Sequence, residues 1–198
     1  MRIGLLNINQ GNLYSIKCAL DKISKNVTFI EKNEDFIDVD VLILPGVGAY
    51  NTYMKSIKLK ELYNPILEFF NNKKKIIGIC VGMQVLFETG EENEKTQGFG
   101  IFKGICSKNE NGLNVGYMKL EVAKNKNSLF NSFKNKNLFF THAFSIKKSF
   151  MFNDCMSVNI NGSEIIAAIR VKNTYGVQFH PELSGDIGIK LLKKIIYE

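Results

Sequence analysis

The chain has no tryptophan, and its 198 residues include only three prolines, two histidines and four cysteines. With so little proline and no low-complexity stretch, no linker between domains is expected. Cys18, Cys80, Cys106 and Cys155 are far apart and form no C-x-x-C pair. That spacing argues against a zinc cage or a redox pair and predicts reduced thiols, so neither metal nor cofactor is expected. Arginine is scarce too, since Arg2 and Arg170 are the only guanidinium groups. The net charge of +7 is therefore lysine charge, scattered at the edges of apolar segments as in Lys73-Lys74-Lys75 and Lys193-Lys194. A solvated face is the ordinary meaning of such charge, and no nucleic-acid partner is expected. No apolar run approaches the roughly 18 residues of a membrane span, and Met1 to Ile8 is too short for a signal-peptide core. The expectation is a cytoplasmic protein with no membrane contact.

What is present fits one globular domain over residues 1–198, with 45% hydrophobic against 23% charged residues. A chain of this length buries about 70% of its unfolded surface without staples. An apolar run at 3–8, closed by Asn9-Gln10-Gly11-Asn12, precedes Leu13, Ile16, Ala19, Leu20 and Ile23 at helical spacing. This predicts a strand and then an amphipathic helix. Runs at 27–30, 39–44 and 76–79 are apolar or β-branched, as in strands of a parallel sheet covered on both faces. A helical pattern over 50–72 breaks near Leu59, and the strand at 76–79 runs straight into a helix expected over 82–87. Beyond a polar stretch at 91–97, short runs at 99–105, 115–122, 138–144, 155–160 and 165–171 predict hairpin strands. A last strand at 175–179 and an apolar helix face from Ile187 to Ile196 close the chain. The expected fold is α/β, a single domain whose central sheet is mixed, mostly parallel and flanked by helices.

The segment richest in chemistry is Gly78-Ile79-Cys80-Val81-Gly82. G-x-C-x-G between a buried strand and a helix is the thiol form of a nucleophile elbow, whose tight turn lifts the middle side chain out of the sheet. Cys80 is expected to stand exposed at a helix amino terminus, where partial positive charge favours an anion and backbone N–H groups can bind an oxyanion. By itself the same cysteine also fits a small buried hydrophobe. A nucleophilic thiolate needs a base, and only His142 and His180 are available. His180 precedes Pro181, which restrains it to extended geometry, so that Glu182, two residues on, projects beside the imidazole and can orient it. Alone, His-Pro-Glu reads as well as a surface turn. His142, between Thr141 and Ala143-Phe144, reads as a packed or substrate-adjacent histidine. Pro45-Gly46-Val47-Gly48 follows a buried strand, at the same carboxyl edge of the sheet as the elbow. It lacks the G-x-x-x-x-G-K-[ST] pattern of a phosphate loop, leaving an oxyanion or carboxylate contact, or an ordinary turn.

Together, Pro45-Gly46-Val47-Gly48, Gly78-Ile79-Cys80-Val81-Gly82-Met83-Gln84 and Tyr175-Gly176-Val177-Gln178-Phe179-His180-Pro181-Glu182 with Ser184-Gly185 resemble the triad-type, class I glutamine amidotransferases. The likeness runs from the first strand to the last helix. Gly-Met-Gln after the nucleophile, with the Pro-Gly-Val-Gly loop, resembles most the HisH branch, the glutaminase subunits of imidazole glycerol phosphate synthase. The resemblance implies a flavodoxin-like glutamine amidotransferase domain with Cys80, His180 and Glu182 as the catalytic triad. It implies L-glutamine as substrate, contacted by Val47, Gly48, Val81, Gln84, His142, Ala143 and Phe144. It also implies ammonia transfer, within a heterodimer, to a (β/α)8-barrel synthase subunit of the HisF type that serves histidine biosynthesis.

Two regions depart from the family pattern. Leu113-Asn114-Val115-Gly116-Tyr117-Met118 stands where relatives generally carry Pro, His or Arg, an apolar residue and Gly-Trp-Asn. Leu183 stands where Lys or Arg commonly follows His-Pro-Glu. Both regions face the synthase in the family. A second reading is therefore a paralogous glutaminase supplying a barrel synthase that amidates or amidinates a sugar nucleotide for surface polysaccharide.

Overall fold

The computed structural model describes residues 1–110, 112–121, 128–148, 152 and 154–198. The first half alternates strands and helices: β1 (Ile3–Leu6), α1 (Leu13–Asp21), β2 (Val27–Ile30), β3 (Val41–Leu44), α2 (Tyr50–Leu59), α3 (Tyr63–Asn71) and β4 (Lys75–Ile79). The break foreseen near Leu59 separates α2 from α3. Every residue of β1 and β3 is buried, as are the last four of β4, so these strands need apolar side chains on both faces. Parallel pairing joins β2 to β1, β1 to β3 and β3 to β4. The chain thus lays β2 on one side of β1 and then crosses to the other, the topological switch at whose carboxyl edge ligands bind in open α/β sheets.

The second half begins with α4 (Val81–Gln84), β5 (Phe87–Gly90), β6 (Thr96–Gln97), β7 (Phe102–Lys108) and β8 (Asn114–Lys119). It continues through β9 (Asn137–His142), β10 (Phe144–Ser145), β11 (Cys155–Ile160), β12 (Ser163–Val171), β13 (Thr174–Val177) and α5 (Gly185–Tyr197). Strand β13 pairs parallel with β4, and β12 and β11 add antiparallel at that side, giving the seven-stranded order β11-β12-β13-β4-β3-β1-β2. A four-stranded sheet, β10-β7-β5-β6, and the antiparallel pair β8-β9 form beside it. The mixed, mostly parallel central sheet is as expected, and α5 buries Leu191, Leu192, Ile195 and Ile196 against it.

Three elements differ from expectation. The helix foreseen over 82–87 is a single turn, because Phe99 N–H bonds to Val85 O and Phe102 N–H to Leu86 O, pulling the chain out into β5. Those same bonds hold residues 99–100 against the turn, so the strand foreseen at 99–105 is displaced to 102–108. The run at 138–144 is two strands, β9 and β10, interrupted at Ala143. Of the strand foreseen at 115–122, residue Val122 lies outside the described residues. Among the described residues no helix is long and apolar enough to cross a membrane, and no group of three His, Cys, Asp or Glu residues could hold a metal ion.

Candidate active site

Strands β3, β4 and β13 are adjacent and parallel, with Leu44 opposite Gly78 and Val177 opposite Ile79. Their carboxyl ends therefore release the 45–48 loop, Cys80 and the segment leading to His180 side by side. Cys80 has φ 52° and ψ −112°, a left-handed backbone that a non-glycine residue holds only under constraint. The constraint comes from both sides: Cys80 N–H bonds to Val177 O, and its carbonyl accepts from Met83 and Gln84. Two glycines make the close packing possible. A β-carbon on Gly82 would lie 2.0 Å from Leu44 O, and one on Gly46 would lie 2.4 Å from Gly82 N and 2.7 Å from Val81 N. The loop after β3 is thus pressed against the backbone of the elbow.

Cys80 is buried, only 3% exposed, not exposed as the bare elbow pattern suggests. The residues after β13 and at the end of β9 cover it: Gln178 Nε2 donates to its sulfur at 3.5 Å, and the thiol is 3.8 Å from Thr141 O. Its helix is also only one turn long, so the full helix dipole assumed from the sequence is absent. His180 is extended, with φ −102° and ψ 99°, as Pro181 requires. Its Nδ1 lies 2.8 Å from Glu182 Oε1, with both side chains about 1% exposed. Burial pulls the imidazole toward neutrality, but Cys80 and Glu182 outweigh it and raise the pKa to about 10. Nε2 has no other hydrogen-bond partner, and the Cys80 sulfur acts on the ring both as a hydrogen-bonding and as a charged neighbour. Ser184 Oγ fixes the turn by donating to His180 O at 2.6 Å and accepting from Phe139 N–H at 2.9 Å.

A cleft of about 200 Å³ opens beside the sulfur. Val47, Gly48, Val81, Gln84, His142, Ala143 and Phe144 all line it, with Thr141 and Glu92. His142 is buried, and desolvation lowers its pKa to about 4, so it is neutral. Its Nδ1 is 3.0 Å from Phe144 O and its Nε2 is 3.3 Å from the Asn114 amide. A carbonyl can only accept, so a proton on Nδ1 serves Phe144 O and leaves Nε2 accepting from Asn114, while the Asn109 amide, 3.3 Å from Nδ1, donates to His142 O at 3.1 Å. No carboxylate touches it, in contrast to His180.

Glu92 and Gln178 were missed by sequence reasoning. Glu92 sits in a polar stretch without motif, yet its Oε2 accepts from Tyr50 N–H at 2.9 Å at the start of α2. Gln178 lay inside the His-Pro-Glu segment but offered no chemical signature of its own. Gln84 turns both amide hydrogens inward, to Phe144 O at 2.8 Å and Gln178 Oε1 at 3.0 Å, and its own Oε1 is buried and unpartnered.

A constrained thiol on a strand-to-helix turn, a carboxylate-oriented imidazole and a glycine loop pressed on the elbow define a hydrolase or acyl-transfer site of the cysteine type. Residues 5–197 match the family model described as glutamine amidotransferase class-I, and the chain belongs to that family. Within it, the chain is similar to "Imidazole glycerol phosphate synthase subunit HisH" of Lactococcus lactis subsp. lactis, at 35% identity over 100% of this chain and 98% of that one. The HisH subunit of Methanocaldococcus jannaschii is 34% identical, with 98% of each chain covered. A plant relative, "Imidazole glycerol phosphate synthase hisHF, chloroplastic" of Arabidopsis thaliana, is 29% identical, and this chain spans only 34% of it. Among solved structures, PurLQS from Thermotoga maritima contains a chain similar in fold, with a TM-score of 0.78 at 22% identity over 99% of this chain and 97% of that one.

Proposed function

We propose that this glutamine amidotransferase is a HisH-type glutaminase subunit, which hydrolyses L-glutamine and passes ammonia to a (β/α)8-barrel synthase partner in histidine biosynthesis, in the cytoplasm. The observation that carries the hydrolytic part is the convergence of Cys80, the His180–Glu182 pair and the cleft at one sheet edge. The Cys80 thiolate attacks the side-chain amide carbon of glutamine, and protonated His180 gives its proton to the leaving nitrogen, which departs as ammonia. Water then attacks the thioester, His180 accepts the proton, and glutamate leaves with the thiolate restored. Val81 and Val47 N–H groups are assigned to the oxyanion. The unpartnered Gln84 Oε1 and the Glu92 carboxylate suit the α-ammonium group of an amino acid, while neutral His142, Gly48 and the 143–144 backbone shape the rest of the pocket.

The HisH assignment draws on the relatives' names, and the Arabidopsis fusion joins HisH and HisF names in one chain, which supports the partner. The test is glutamine hydrolysis by the chain mixed with a HisF-type synthase. Cys80→Ala should lower the rate about 10⁴-fold or more, as loss of a nucleophile does in comparable triads, and the wild-type chain should restore histidine prototrophy to cells lacking their own glutaminase subunit. Hydrolysis without such rescue would transfer the chain to another ammonia-consuming synthase.

A further inference from the structure

We infer that Gln178 is a positioning residue for the nucleophile, a hydrogen-bond donor to the Cys80 sulfur whose orientation is fixed, through Gln84, by the Phe144 carbonyl. The inference rests on the proposed role of Cys80 and adds a device that sets the state of that sulfur.

One buried chain of groups has a fixed polarity. Phe144 O is a backbone carbonyl and can only accept, so the amide of Gln84 must turn its Nε2 toward it, at 2.8 Å. The second hydrogen of that Nε2 points to Gln178 at 3.0 Å, and Gln178 must therefore offer its oxygen there. With its oxygen so engaged, Gln178 has only its Nε2 left for the sulfur, at 3.5 Å. Flipping either amide would set two acceptors or two donors face to face in a place without water-exposed alternatives, since Gln84 and Gln178 are 1% and 0% exposed. A carbonyl some 60 residues away in sequence thus determines that the sulfur receives a donor.

A donated hydrogen bond favours a thiolate over a thiol, which must otherwise place its proton on a nearby acceptor such as Thr141 O at 3.8 Å. The chain also reaches the cleft at its other end. Gln84 lines the pocket and its Oε1 is buried and unpartnered, so a donor group of the substrate that reached this oxygen would tighten the same amide that holds Gln178. Pocket occupancy and the readiness of the nucleophile are in this way linked by two side chains.

The test uses the full chain and does not depend on turnover. The rate at which iodoacetamide alkylates Cys80, followed by mass spectrometry of its peptide across pH, reports the thiolate fraction. The charged and titratable groups around the sulfur are His180 with Glu182, His142, Glu92 and, deeper, Cys106; none is altered by the variants. Gln178→Met and Gln178→Leu both keep an uncharged side chain of similar volume and remove the donor. Both should raise the midpoint of alkylation by about one pH unit and slow alkylation about tenfold at any pH below that midpoint, the typical worth of a hydrogen bond to a charged group. Gln84→Met should shift it in the same direction, and Gln84→Met with Gln178→Met together should shift it no further than Gln178→Met alone. Melting temperatures identify any variant that fails to fold. Unchanged midpoints in two folded Gln178 variants would overturn the inference and leave Gln178 as packing. If the midpoints shift but the wild type with its synthase hydrolyses no glutamine, the positioning role stands and the glutaminase reading falls.

Discussion

His142 and His180 lie close to the same sulfur and have opposite electrostatic fates, for reasons visible at each ring. His142 meets carbonyl and amide groups and the Phe140 ring but no carboxylate, so burial dominates and its pKa falls to about 4; His180 meets a carboxylate and a sulfur, and its pKa rises to about 10. The consequences for stability have opposite signs. The His180 contribution is complete below its unfolded value of about 6.5 and is lost as pH rises through about 10. That of His142 is complete above about 6.5 and is lost as pH falls from there through about 4, because the unfolded ring takes up a proton that the folded ring refuses. A gap between 6.5 and about 4 corresponds to about 3 kcal/mol, most of it expressed by pH 4.5. Urea unfolding at pH 7 and pH 4.5 should therefore show a smaller acid loss for His142→Gln than for the wild-type chain, by about 2 kcal/mol. Equal losses in the two proteins would place the acid-sensitive group elsewhere.

At the scale of elements, the candidate site depends on how closely the loop after β3 approaches the elbow after β4. Gly46 allows this, since the atoms nearest its missing β-carbon are all backbone: Gly82 N, Ile79 O and Val81 N at 2.4 to 2.7 Å. Backbone cannot swing aside as a side chain can, so Gly46→Ala must displace the loop that carries Val47. Glutamine hydrolysis with the synthase present should fall about 10² to 10³-fold, the usual effect of losing an oxyanion donor, with a much smaller change in melting temperature. An unchanged rate would remove the 45–48 loop from the chemistry. The same packing shows which elements could be read in the sequence. Strands β1, β3 and β4 are apolar on both faces because helices cover them, so an unbroken apolar run identified each. The run Val85-Leu86-Phe87 is equally apolar, but its burial is satisfied as helix or strand, and the choice fell to hydrogen bonds from residues 99–102 that no local pattern encodes. Cys80, His180 and Glu182 could be picked out because each chemistry needs a particular residue type in a particular local setting. Gln178 could not, because its meaning arises only when β13 pairs with β4 and brings together residues 98 positions apart.

For the whole molecule, ammonia released into water is mostly protonated and lost as a nucleophile, so the surface that meets the synthase should adjoin the cleft. Strand β8 supplies such a surface. Its residue Asn114 pairs with His142 at the cleft, and its outward positions Val115 and Tyr117 are 57% and 63% exposed. Tyr117 Oη donates to Leu183 O, the residue after Glu182, at 3.1 Å, and its ring packs edge-on against Phe139. Leu113, Val115, Tyr117 and Leu183 are all exposed apolar residues, and Tyr117 and Leu183 occupy the two stretches that depart from the family pattern. Apolar groups there replace the tryptophan and the cation expected of relatives, which suits a partner offering an apolar counter-surface. A tyrosine anchored by one hydrogen bond and one ring contact is preorganised, and such aromatics dominate interface energies. Tyr117→Ala should weaken binding of the synthase by about 2 kcal/mol, roughly thirtyfold, as titration calorimetry would measure. Ile37→Ser, also at an exposed apolar position but just before β3 at the opposite edge of the sheet, should leave that affinity unchanged. Equal losses from the two substitutions would mean that the partner does not sit over the cleft, and ammonia would then have to reach it by another route.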